Sequence, residues 1–276
     1  GGATYVDDVF STFLYTGNGA DQSIENGIDL AGEGGLVWIK DRDLTTSTSN
    51  HVLADTEQGA TKYLIANSTS SYNQNGTTLT SFNNDGFSVG LSSSFNRSNS
   101  GMVSWSFRKA PGFFDIVTYT GNGTAGRTVS HNLGSVPGVI LIKNLSTARS
   151  WAMYHRAVDS SPQGYFLILN NNDVKQIATE AEGGNAWNNT APTSTEFTLG
   201  DYNGVNENGD SFVAYLFAHD AQEFGTDEDE AIIKCGSFSG QGQIDLGFEP
   251  QWILVKPYTQ SYNWVLVDNM RGLPSQ

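Results

Sequence analysis

The sequence is poor in the features on which several function classes depend. One cysteine among 276 residues, Cys235, excludes an internal disulfide framework, so the fold must hold by packing alone. That suits assembly in a reducing cytoplasm followed by use elsewhere. Charged residues make up only 16% of the chain, and acids outnumber bases 29 to 14, giving a net charge of −15 and a pI near 4.4. Such a surface repels phosphate backbones and anionic membranes, which argues against nucleic acid as a partner. No apolar run approaches the roughly 18 residues of a helical membrane span. Gly1 to Asp8 has neither the basic end nor the apolar stretch of a signal peptide. A Gly-x-Ser-x-Gly elbow, a phosphate loop and a zinc-ligand cluster are all missing, so no cofactor or metal is expected.

What the chain does have is self-similarity. Tyr15-Thr-Gly-Asn-Gly19 recurs unchanged as Tyr119-Thr-Gly-Asn-Gly123 and loosely as Phe238-Ser-Gly-Gln-Gly242. Each copy leads to an apolar run ending in lysine: Gly35 to Lys40, Gly138 to Lys143, Gln251 to Lys256. The next element also repeats, as His51 to Asp55, Trp151 to His155 and Trp264 to Asp268. Three further pairs occur in the first two copies: Tyr63–Asn67 with Phe166–Asn170, Gly86–Gly90 with Glu196–Gly200, and Val103–Phe107 with Val213–Phe217. The third copy stops at Gln276 after its third element, which implies that further sequence or another chain supplies the remaining strands.

The repeated elements are four to seven residues long, rich in Val, Ile, Phe, Tyr, Trp and Leu, and separated by Gly, Asn, Asp, Ser and Thr. This is the pattern of strands and tight turns. Val103, Trp105 and Phe107 alternate with Ser104 and Ser106, predicting one buried and one wetter face. Val139 to Ile142 is apolar throughout, as in a central strand covered on both sides. The expected fold is therefore all-β: tandem antiparallel β-sandwich modules of jelly-roll or lectin-like type. Module boundaries fall at 1–111, 112–222 and 223–276, the last module being incomplete. Short linkers, Arg108 to Gly112 and Asp220 to Glu230, predict a stiff rod.

Four segments, Tyr5 to Thr12, Ile28 to Lys40, Ser104 to Pro111 and Ser130 to Pro137, resemble a repeated module of tail fibres and related virion proteins of marine tailed phages, including cyanophages. The resemblance spans essentially the whole chain. It implies a non-enzymatic structural or host-recognition role on the exterior of a virion, with other virion proteins and a host-surface polysaccharide as partners. A capsid-decorating or head-fibre protein is the alternative, and a polysaccharide depolymerase a more distant one. Fibres of this kind are commonly trimeric, so a homotrimer is implied too, although no heptad or triple-helical segment enforces it. The resemblance transfers no site residues.

Candidate residues therefore come from the sequence itself. Sugar rings stack on aromatic faces while Asn and Asp side chains bond their hydroxyls. Among the loop-borne aromatics Tyr72, Phe95, Trp187 and Tyr202, the Asn-rich second-module loop singles out Trp187, Asn188, Asn189 and Tyr202 as a glycan platform. The bland alternative is that Trp187 anchors its loop. The histidines at 51, 131, 155 and 219 read as packing or surface residues. Asp159, Asp173, Glu180 and Glu182 show no spacing that makes a hydrolytic pair. Asp227-Glu-Asp-Glu230 lacks the glycine-punctuated spacing of a calcium loop. The lysines at 40, 143 and 256 are expected to snorkel from strand ends toward a carboxylate.

Overall fold

The computed structural model describes residues 3–43, 49–181 and 184–272. The first copy contributes β1 (Phe10–Thr16), β2 (Gln22–Glu25), β3 (Gly35–Asp41), β4 (Val52–Asp55), β5 (Lys62–Ile65), β6 (Asn73–Gln74), β7 (Leu79–Asn83), β8 (Gly86–Val89) and β9 (Gly101–Arg108). The second contributes β10 (Phe114–Thr120), β11 (Arg127–Ser130), β12 (Val139–Asn144), β13 (Ala152–His155), β14 (Tyr165–Ile168), β15 (Gln176–Ile177), β16 (Glu196–Leu199) and β17 (Ser211–Phe217). The third contributes a hairpin, β18 (Trp252–Val255) and β19 (Val265–Asp268).

Each full copy is a sandwich of a large and a small sheet. The large sheets run β1-β9-β3-β4-β5-β6 and β10-β17-β12-β13-β14-β15, the same order of equivalent strands. The small sheets are β2-β8-β7 and β11-β16. Register is preserved as well: Phe10 faces Phe107 in the first copy and Phe114 faces Phe217 in the second. One residue of slip would turn every large side chain to the opposite face, so the common register follows from the common apolar pattern.

The large sheets are buried on both faces. Val37, Ile39, Val52, Phe87, Val89 and Phe95 fill the interior of the first sandwich, as Ile140, Ile142, Phe197, Leu199 and Phe212 do in the second. The opposite faces, bearing Trp38, Val103, Trp105 and Phe107 from one copy and Leu141, Trp151, Tyr215 and Phe217 from the other, meet in a single shared core. Trp252, Leu254, Trp264 and Leu266 of the hairpin pack against the same core. Phe107 alone has ring centroids of Phe10, Phe114, Phe217 and Trp252 within 5.0–5.7 Å.

Two expectations are corrected here. Ser104 and Ser106 are not on a wet face; both are fully buried. Their hydroxyls are satisfied inside the sandwich, Ser106 Oγ accepting from Asn26 Nδ2 at 2.9 Å and Ser104 Oγ reaching the Phe13 carbonyl at 3.5 Å. The copies also do not lie in line. The short linkers keep them close, but wide aromatic faces drive them side by side, because burying that apolar surface outweighs extension.

The repeated Tyr-Thr-Gly-Asn-Gly motif has a structural cause. Tyr15 Oη donates to the Phe95 carbonyl at 2.6 Å, and Tyr119 Oη to that of Val205 at 2.8 Å. A Cβ on Gly17 would sit 2.1 Å from the Arg97 carbonyl oxygen, and one on Gly121 2.0 Å from that of Glu207. Each loop is locked by a buried asparagine: Asn96 Oδ1 accepts from Asn18 N, and Asn206 Oδ1 from Asn122 N. Their amide nitrogens donate to carbonyls that include Gly90 and Gly200 respectively.

Candidate functional site

Several of the buried ionisable residues sit where the copies meet, among them Asp55, Lys143, Tyr215 and Asp268. Tyr215 Oη in β17 donates to Asp55 Oδ2 at the end of β4, 2.7 Å away, joining the second copy to the first. Asp55 also accepts from the backbone N–H and the amide of Gln58. Burial is the main force on this carboxyl and holds its pKa above the usual carboxylate range, while these hydrogen bonds pull it down. Trp105, which matches Tyr215, donates from Nε1 to Asp268 Oδ2 at 3.1 Å, joining the first copy to the hairpin. Asp268 matches Asp55, and Arg271 Nε contacts the same oxygen at 2.6 Å while its guanidinium lies 5.1 Å from the Trp105 ring centre.

A second set of contacts repeats with the same spacing. Trp151 Nε1 donates to the Ile65 carbonyl at 3.0 Å, and Trp264 Nε1 to that of Ile168, also at 3.0 Å. Lys143 Nζ donates to the Thr69 carbonyl at 3.0 Å, and Lys256 Nζ to that of Asn172 at 3.3 Å. Thus the second copy grips the first and the hairpin grips the second. With the Trp105–Asp268 bond, all these contacts run in one circular sense about the shared core.

Among the described residues the repeated lysines are therefore not ion-paired with carboxylates, contrary to the expectation from the sequence. Each reaches main-chain carbonyls instead: Lys40 those of Asp41 and Ser49, Lys143 those of Thr69 and Arg149, Lys256 those of Asn172, Pro257 and Tyr262. Lys143 is fully buried, and that burial brings its pKa down to about 8. Carbonyls of the lysine's own copy supply most of these partners, and Lys143 and Lys256 each reach one more across a junction, Thr69 and Asn172.

Where the first copy presents Lys40 and His51, a cleft of about 460 Å3 opens among all three copies. Trp38, Lys40, His51 and Asn67 line it from the first, Asn170, Asn171 and Asn172 from the second, and Leu254, Trp264, Leu266 and Arg271 from the hairpin. Trp38 Nε1 donates to His51 Nδ1 at 2.9 Å, which leaves the proton of the neutral ring on Nε2. Burial, with Lys40 and Arg271 adding to it, brings the His51 pKa down to about 4, so the ring is neutral at physiological pH. A larger groove of about 600 Å3 is lined by Glu33, Arg108, Lys109, Glu223 and Phe224 among others, and its two cations are paired, Arg108 with Glu33 at 4.0 Å and Lys109 with Glu57 at 2.8 Å.

The sequence-based platform is only partly assembled. Trp187 is 2% exposed, its ring meets Tyr154 edge-on at 5.9 Å, and its Nε1 donates to the Tyr165 carbonyl at 2.8 Å. It anchors its loop and offers no face for a sugar. Asn188 and Asn189 are exposed at the loop tip, both with left-handed backbone (φ 50° and 49°), and Asn185 Oδ1 accepts from the Trp187 and Asn188 N–H groups. Tyr202 is half-buried, its ring 5.7 Å from that of Phe166. Of the other loop aromatics, Phe95 is fully buried and Tyr72 is 43% exposed.

The remaining candidates are spread through the fold. His131, His155 and His219 accept from backbone N–H groups of Leu133, Ala157 and Cys235. The Cys235 thiol is buried and pushed up to about 12, so it is not a thiolate. Asp159 pairs with Lys175 at 2.6 Å, and Asp227 to Glu230 are exposed. Glu182 lies outside the described residues. Among the described residues no group of three or more His, Cys, Asp or Glu side chains is placed to hold a metal ion. Nor does any described helix have the length and apolarity to cross a membrane.

These features define an all-β protein built from repeated antiparallel sandwiches around a shared core. The chain belongs to the DUF7483 family, whose family model, a domain of unknown function, matches residues 6–275. No curated protein and no solved structure matches it.

Proposed function

We propose that the protein is a non-enzymatic structural component of a phage virion, a tail-fibre segment that acts as a rigid spacer and presents loops to a host-surface glycan. The observation that supports this reading most is the use made of buried polar groups. Asp55, Asp268, Lys143 and Trp151 fasten one copy to another, which is how an interior is organised for rigidity. Loop anchoring serves the same end: the buried Trp187 fixes a loop whose Asn188 and Asn189 project into solvent. Pre-ordered loops lose little entropy on binding, and many weak contacts on one particle add through multivalency.

Immunogold labelling of intact particles with antibodies to this chain tests the location. Label on tail fibres supports the proposal, label spread over the head favours a decorating protein, and particles without label contradict both. A glycan array then tests adhesion, with Asn188→Ala/Asn189→Ala expected to weaken any signal without altering the fold.

A further inference from the structure

Six asparagines are followed directly by glycine: Asn18, Asn26, Asn75, Asn122, Asn203 and Asn208. Such a pair is open to attack from within, because no side chain shields the glycine nitrogen from the amide that precedes it. The fold protects five of the six. The N–H groups of Gly19, Gly27, Gly123 and Gly209 donate to the carbonyls of Asn96, Asp85, Asn206 and Gly121 at 2.8–3.0 Å, which holds each nitrogen and its proton in place. Gly204 is buried in the helical turn Asn203–Asn206, where even a Cβ would meet the Tyr202 ring at 2.4 Å.

Asn75 and Gly76 differ. Both are exposed, and no atom beyond the chain neighbours lies within 4 Å of the point a Gly76 Cβ would occupy. Among the described residues the Gly76 N–H has no hydrogen-bond partner. The turn around it is nonetheless firmly held. Asn75 N donates to the Thr61 carbonyl at 2.9 Å, and the Asn75 carbonyl accepts from Thr78 N at 3.2 Å and Thr78 Oγ1 at 2.7 Å. The Asn75 side chain folds back over its own peptide, Oδ1 accepting from Thr77 N at 3.0 Å and from Thr77 Oγ1 at 2.9 Å. This closure brings Cγ beside the Gly76 nitrogen and aims two donors at the oxygen where charge develops when Cγ is attacked. Asn18, Asn26 and Asn122 make the same backbone closure, so the free glycine N–H is what sets Asn75 apart.

We infer that Asn75 is a self-modification site, at which the Gly76 nitrogen closes a succinimide ring on the Asn75 side chain. The nitrogen gives its proton to water and bonds to Cγ. The Cγ–Nδ2 bond breaks, and the departing amide takes up a proton and leaves as ammonia. Water then opens the imide at either carbonyl, leaving aspartate or isoaspartate. The sum consumes one water and releases one ammonia, with no oxidation or reduction. Isoaspartate lengthens the main chain by a methylene at a turn that anchors a second loop, since the Thr77 and Thr78 carbonyls accept from Ser92 N at 2.9 Å and Gly90 N at 2.8 Å. The Gly90 carbonyl accepts in turn from Asn96, which locks the first Tyr-Thr-Gly-Asn-Gly loop. Modification therefore loosens that end of the first sandwich. The second copy is spared, having no Asn-Gly pair between β15 and β16.

The test incubates the folded full chain at pH 8 and 37 °C, with peptide mapping by mass spectrometry and an isoaspartyl methyltransferase to count isoaspartate. Conversion at Asn75 should run at least about tenfold ahead of each other pair, the factor one retained hydrogen bond supplies. In urea the six should react at comparable rates. Gly76→Ala should slow the folded reaction about tenfold, and Thr77→Val, which removes one donor to Oδ1, about fivefold. Near-UV circular dichroism matching the unaltered chain shows that the variants fold. Another pair leading in the folded chain, or all six reacting alike there, overturns the inference. So does a lead for Asn75 that is as large in urea, or a folded rate indifferent to Gly76→Ala. In the aged protein, hydrogen exchange should show protection lost at Gly90 and Ser92, and unchanged protection there overturns the loosening.

Discussion

Replacing Tyr215 by Phe removes one oxygen atom and leaves the packing of β17 in the shared core intact. The lost contact is the 2.7 Å hydrogen bond to Asp55, a residue of the other full copy with 1% of its surface exposed. A hydrogen bond to a desolvated carboxyl is worth about 0.5–1.5 kcal/mol while the group is protonated and about 1.5–3 kcal/mol once it is ionised, so the variant should lose stability on that scale. The loss should also depend on pH. Burial raises the Asp55 pKa above its unfolded value, so the native state binds the extra proton. Stability from this group is therefore fully present below the unfolded pKa of about 3.9 and declines as pH rises toward the raised folded value. The tyrosine hydroxyl counters that decline by stabilising the carboxylate. Tyr215→Phe should accordingly cost less at pH 4, where the bond is to a neutral carboxyl, than at pH 7, by an amount set by how far Asp55 has ionised there. Urea unfolding at both values, followed by tryptophan fluorescence and far-UV circular dichroism, measures it, and a cycle with Asp55→Ala isolates the coupling. A deficit equal at the two pH values, or below about 0.5 kcal/mol at pH 7, refutes the reasoning. Two separate unfolding transitions with only one affected would do so too, since the bond joins the two copies.

His51 and His155 both have pKa values lowered to about 4, mainly by burial, so their contribution is complete above the unfolded value near 6.5 and is lost as pH falls toward 4. His155→Phe should therefore be less destabilising at pH 4.5 than at pH 7 by roughly 1–3 kcal/mol, read by urea unfolding, and an equal cost at both values contradicts this assignment. Asn206→Ala deletes a fully buried amide bonded to Asn122, Thr124 and Gly200, and should cost about 2–4 kcal/mol with early loss of protection at Gly121 and Gly123 in hydrogen exchange. Trp187→Ala should cost about 3–5 kcal/mol in thermal or urea unfolding, whereas Asn188→Ala should cost only about 1 kcal/mol, the strain of alanine in left-handed backbone.

The sandwiches were legible because their signal is local. Alternation, turn residues and repeated order act within a few positions, and the equivalent strands fall in the same sheet order in both full copies. Val139 to Ile142 was readable as doubly covered for the same reason. What covers the second face was not readable. The pairing of Tyr215 with Asp55 spans 160 residues, and nothing near either one marks the other as its partner. The serines of β9 misled because a small polar residue with a hydrogen bond inside a sandwich looks, in sequence, like one facing water. Trp187 was ambiguous because a loop anchor and a stacking platform have the same composition. The one overlooked signal was the pair Asn96 and Asn206, which occupy equivalent places before β9 and β17 and lock the Tyr-Thr-Gly-Asn-Gly loops. The lysine repeat is plain in the sequence, but the Thr69 and Asn172 carbonyls that Lys143 and Lys256 reach depend on how the copies meet.

Small-angle X-ray scattering of the chain in dilute solution tests the shared core most directly. Side-by-side packing into one body predicts a radius of gyration of about 19 Å for 276 residues. Modules of about 13 Å laid end to end would give a value near 30 Å, and that result would contradict the shared core.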